Sequence, residues 1–78
     1  ELGDYQNAVK KYIQAAERVE NEITSPMFYF KAGLNAEEAG DFAKAAEFYK
    51  KIKDNYTSFS NQKGIDKYIT RAENKVID

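Results

Sequence analysis

Residues 38–54 read EAGDFAKAAEFYKKIKD, and residues 1–17 read ELGDYQNAVKKYIQAAE. Both contain Gly-Asp-aromatic, an Ala three positions after the aromatic, and a Tyr four positions after that Ala. Tyr5, Ala8 and Tyr12 match Phe42, Ala45 and Tyr49, each pair 37 residues apart. A fixed period of this size marks stacked helical repeats, in which each unit buries its apolar face only against its neighbours. The spacing therefore predicts an all-α chain of antiparallel helix-turn-helix repeats, about four helices in a single domain over residues 1–78.

Working outward, apolar residues at spacings of three and four predict a helix over residues 5–21, through Tyr5, Ala8, Val9, Tyr12, Ala16 and Val19. Asp4 is its expected N-cap. Ser25-Pro26 is expected to open a second helix, Ser as the cap and Pro at the first helical position. That helix is predicted to run to about Ala39. Its apolar residues surround much of its circumference, which predicts a helix sandwiched between neighbours. Gly40 is the expected C-cap and Asp41 the next N-cap. A third helix is predicted over residues 42–54, burying Ala45, Phe48, Tyr49 and Ile52. Residues 55–62 read as a polar connection that two aromatics could pin down. The final helix is predicted over residues 62–77, with Ile65, Tyr68, Ile69, Ala72 and Val76 as its apolar stripe.

Bulk composition narrows the function. Twelve basic and thirteen acidic residues leave a net charge of −1. A nucleic-acid binder would show a clustered basic excess; here the charges interleave as on solvated helix faces. No apolar run approaches the roughly 20 residues of a membrane helix, so no direct membrane insertion is expected in this segment. With no Cys and no His, the usual thiol nucleophile, imidazole base and structural zinc site have no residues to form them. The four Gly are isolated, so no phosphate-cradling loop is expected, and no calcium-loop spacing is present. The expectation is a non-enzyme without cofactor or metal. Asn55-Tyr56-Thr57 matches the N-glycosylation triplet, a pattern common by chance. Lys10-Lys11 and Lys50-Lys51-Lys53 read as solvated faces, since Glu17, Glu20 and Glu47 interrupt them. The chain starts at Glu1 inside a repeat and reads as a fragment or a processed product.

The residues from Pro26 to Thr57 resemble one tetratricopeptide repeat. Pro26 and Tyr29 stand where that family opens its first helix. Ala32-Gly33 matches its characteristic small pair, and Gly40, Phe42 and Ala45 match the turn and second helix. Tyr49 matches the second helix's aromatic. Ala36 departs from the family, which often has an aromatic there, and the 37-residue spacing exceeds the family's period of about 34. Gly3 to Ala15 resembles the second half of a repeat, and Ile65 to Ile77 the helix that closes such an array. Residues 1–22, 26–57 and 62–77 are thus expected to be half a repeat, one repeat and a capping helix. More loosely, YKKIKDNYTSFSNQKGIDKYITRAE (49–73) resembles the C-terminal end of bacterial envelope proteins of this class, although Thr57 stands where they often have Pro. That resemblance implies a place at the cell envelope through a missing N-terminal region.

The family resemblance implies a protein-interaction scaffold with a groove along its first helices. Met27, Phe30 and Leu34 form one stripe of the second helix and are the expected partner-binding residues, Phe30 the anchor. Glu37 and Glu38 could form an acidic end to the groove, and Lys31 is its only basic residue. The family's chaperone-tail binders line this surface with Lys, Asn and Arg; the apolar stripe argues against that specificity. The competing reading makes the stripe a packing face, against a helix before Glu1 or another copy of the chain, so that the chain is a self-assembling, homodimeric terminal segment.

Overall fold

The computed structural model describes residues 2–77, with the side chains at 2, 3, 19 and 77 left aside. Expectations for Val19 and Ile77 as packing residues lie outside the described residues. The described chain is helical throughout, as the repeat spacing requires. It forms α1 (Leu2–Val19), α2 (Thr24–Glu38), α3 (Phe42–Asn55), α4 (Thr57–Lys63) and α5 (Ile65–Ile77). The long helices pack in chain order, α1 on α2, α2 on α3 and α3 on α5. No helix among the described residues is long and apolar enough to cross a membrane.

The core is built from small and aromatic residues. Ala16, Tyr29, Ala32, Ala36, Ala45, Phe48, Tyr49, Ile52, Ile65, Ile69 and Ala72 are all buried. Alanines dominate where helices meet, and short side chains bring helix axes close enough for the aromatics to bridge the remaining gaps. At Gly33 the approach is closest: a Cβ there would lie 2.8 Å from Tyr49 Cζ. No side chain larger than hydrogen fits without moving the ring.

The turns show how local chemistry sets the helix ends. Gly40 has φ +82°, the left-handed geometry that closes helices cheaply when no Cβ is present. Asp41 N–H donates to Ala36 O and Gly40 N–H to Glu37 O, the paired bonds of a Schellman closure. Asp41 then caps α3, accepting from the Lys44 backbone N–H at 3.3 Å, as its position predicts.

Four expectations are corrected. Asp4 lies in the first turn of α1 rather than capping it, where its charge still complements the helix dipole. Ser25 does not cap α2. It is fully buried, and its hydroxyl donates to Ala16 O at 2.9 Å while accepting from Asn21 N–H at 3.0 Å. The cap is supplied by Asn21, whose Oδ1 accepts from the N–H groups of Ile23 and Thr24. Pro26 thus falls in the first turn but not at its first position, still where its missing N–H is harmless. Finally, residues 57–63 are not an irregular connection but the short helix α4, giving five helices among the described residues instead of about four. Seven residues rich in Ser, Thr and Asn carry weak helix propensity and too few positions to show a period. Packing supports α4: Phe59 meets Phe30 with ring centres 6.2 Å apart, Ser60 is buried, and at the junction Tyr56 meets Tyr29 at 6.3 Å.

Candidate interaction surface on α2

Helix α2 is in contact with helices on both sides, and at about 100° per residue its faces separate cleanly. Ser25, Tyr29, Ala32, Gly33 and Ala36 are buried. The opposite face carries Met27, Lys31 and Glu38, all exposed, with Leu34 half-buried among them. Met27 is 40% exposed, and Ile23, one turn before it, is 73% exposed.

Phe30 and Glu37, expected on the same open stripe, turn instead toward the C-terminal helices. Phe30 is half-buried and ringed by aromatics: Tyr49 at 6.0 Å, Phe59 at 6.2 Å and, edge-on, Tyr68 at 4.9 Å between ring centres. The Lys63 ammonium lies 5.5 Å from its ring centre. Phe30 is therefore a joint between α2 and the helices after it, and a charge placed there would disrupt the fold. The cause is angular: Phe30 sits about 60° round the helix from Met27, far enough to reach α4 and α5.

Glu37 is held by three bonds. Its Oε1 accepts from Tyr49 Oη at 2.5 Å and Arg71 Nη2 at 2.6 Å, and its Oε2 from Arg71 Nε at 2.9 Å. The side chain is 13% exposed. One carboxylate thus links α2, α3 and α5, and its partners satisfy the charge it brings into a half-buried place. Burial, reinforced by the Glu37 hydrogen bond, holds the Tyr49 phenol well above its ordinary range. The same carboxylate raises Arg71 further, through its hydrogen bond.

On the other flank, Tyr12 of α1 stacks on Phe28 of α2 with ring centres 6.3 Å apart. Lys31 Nζ lies 6.0 Å from the Tyr12 ring centre. Both rings are half-buried. The stripe reading missed Tyr12, Phe28 and Ile23; the signal that points to Tyr12 is its match to Tyr49 in the repeated phrase.

The arrangement is an apolar strip, Ile23–Met27–Leu34, edged by Lys31 and Glu38 and flanked by aromatic pairs. Such a strip can hold the apolar side of another polypeptide and pair charges at its margin. Among the described residues no group of three or more acidic side chains is placed to hold a metal ion. No family model matches the chain, and no curated protein or solved structure matches it either.

Proposed function

We propose that this chain is a protein-interaction module of the tetratricopeptide kind, docking a partner segment on the solvent face of α2. One observation carries the reading. Met27 and Ile23 stand 40% and 73% exposed on the same side of a helix whose remaining apolar residues are packed. Exposed apolar side chains grouped on one face mark contact surfaces more than solvated ones. Support for the repeat class comes from the packing order and from Gly33 and Tyr49, which meet where small and aromatic residues of that family meet. Rigid helices hold the strip in place; no turnover is part of this reading.

Met27→Glu is the test, because Met27 is exposed and its replacement leaves the core untouched. A partner retained by the wild type and lost with Met27→Glu, with helicity unchanged by circular dichroism, supports the α2 face. Equal retention of every partner by both proteins counts against it. Sedimentation decides the self-assembly alternative: a concentration-dependent dimer that Met27→Glu dissolves makes the partner a second copy.

A further inference from the structure

The α1–α2 contact is built twice in this molecule. Tyr12 of α1 pairs with Phe28 of α2 at 6.3 Å, and Tyr49 of α3 pairs with Tyr68 of α5 at 5.5 Å. Three residues after the second ring comes a cation in both places. Lys31 lies 6.0 Å from the Tyr12 ring centre, and Arg71 lies 4.8 Å from that of Tyr68.

The two junctions differ on their other side. α2 crosses Tyr49 there, with Gly33 admitting the ring. One turn on, Glu37 accepts from Tyr49 Oη and pairs with Arg71. Tyr12 and Lys31 present the equivalent two donors without the carboxylate, and neither side chain has a polar partner among the described residues. Ala8, Val9 and Ala15, which match the buried Ala45, Ala46 and Ile52, are only half-buried. Lys11 stands exposed where α3 buries Phe48, adding positive charge to the edge of this face.

We infer that the outer face of α1, with Lys31 at its border, docks a helix from another polypeptide bearing a small residue and, four positions later, a carboxylate: Gly/Ala-x-x-x-Glu. The small residue admits the Tyr12 ring. The carboxylate accepts from the Tyr12 hydroxyl and pairs with Lys31. The spacing is that of Gly33 and Glu37, one helical turn, so both groups face the same way. α2 of a second copy does not supply this helix, because its own Tyr49 and Arg71 occupy Gly33 and Glu37. Ala43 and Glu47 of α3 have the spacing, but Lys44 and Lys50 border them and would be brought toward Lys11 and Lys31. This surface is distinct from the Met27–Leu34 strip, and the inference does not depend on that strip's having a partner.

The probe is a peptide with the sequence of residues 24–38, cross-linked to hold it helical, titrated into the isotope-labelled chain and followed by NMR. The expected result is amide shifts at residues 5–16 and 28–31. Replacing the peptide's Gly33 by Leu should weaken binding by at least about tenfold through overpacking. Replacing its Glu37 by Gln, or Tyr12 of the protein by Phe, should each weaken binding by about tenfold, the loss of a charge-assisted hydrogen bond. The two changes together should cost less than their product, because they remove one interaction. Tyr12→Phe keeps the ring and the α1–α2 stack, so the fold survives the change. No shifts at the α1 face at about millimolar peptide, or equal binding by all three peptides, overturns the inference. Shifts confined to Met27 and Leu34 overturn it while supporting the α2 strip. A dimer by sedimentation that Tyr12→Phe abolishes also overturns it, by putting a second copy on the face.

Discussion

Tyr12 and Tyr49 hold the same place in a phrase that recurs after 37 residues, yet Tyr49 is wholly buried and Tyr12 only half-buried. α1 and α3 were given equivalent residues and different neighbours. α3 lies between α2 and α5 and buries Ala45, Ala46, Tyr49 and Ile52. α1 packs on α2 alone among the long helices. In a stack of repeats, burial belongs to the interface rather than to the residue type. The difference teaches where this molecule is rigid and where it has surface to offer: the α2–α3–α5 junction is closed by Gly33, Tyr49, Glu37 and Arg71, while the α1 junction stands half-built.

The largest test of that contrast is truncation of the two tyrosines. Tyr49→Ala should cost about 3–5 kcal/mol, the usual loss for a buried aromatic. Tyr12→Ala should cost about 1–2 kcal/mol, in proportion to its smaller burial. Urea unfolding of both variants measures this, and equal losses would break the comparison. Next comes Gly33→Ala. Overpacking against Tyr49 costs about 1–3 kcal/mol and improved helix propensity returns about 1 kcal/mol, so a net loss of about 1–2 kcal/mol is expected. Combining it with Tyr49→Leu should give less than the sum of the single effects, because the ring it collides with is gone.

A smaller effect separates the helix ends. α2 closes with Gly40, whereas α1 closes at Glu20 with φ +46°, a conformation that strains a residue with a Cβ. Glu20→Gly should stabilise the chain by about 0.5–1 kcal/mol, the relief being partly offset by a freer unfolded state. A lowered melting temperature would mean that the Glu20 side chain contributes more than its backbone costs.

The last effect is silent at neutral pH. Tyr49 has a raised pKa in the folded state, so its protonated form is the one the fold favours. The stability it contributes is complete below the ordinary tyrosine pKa of about 10 and is lost as pH rises from there toward its folded value. Unfolding free energy should therefore fall with pH in that window, and Tyr49→Phe should flatten the fall. An unchanged slope in Tyr49→Phe would mean that Glu37 does not hold the phenol.

Much of the helix order was legible because its signals are local. Gly40-Asp41 carries its own turn chemistry, and the third helix ends within one residue of where its period places it. α4 was not legible, since TSFSNQK has neither propensity nor length, and its helicity rests on Phe59 meeting Phe30. The candidate surface divided in the same way. Met27, Lys31, Leu34 and Glu38 share an open face that helical spacing predicts. Phe30 and Glu37 fall at its margin, where a rotation of about 60–80° decides between solvent and a neighbour. Ser25 shows the limit most simply: a residue suited to capping was drawn into the core because Ala16 O lay within reach of its hydroxyl.

By itself, the sequence determined an all-helical chain with a repeated aromatic-alanine phrase, its turns at Gly40 and its small residue at Gly33. Helical period, capping and glycine geometry are properties of a few adjacent residues. Only the tertiary structure decided which copy of the phrase is sealed, that Glu37 links Tyr49 and Arg71, and that Phe30 joins α2 to α4 and α5. Those outcomes depend on residues as far apart as 34 positions, and no local pattern encodes which distant side chain will arrive.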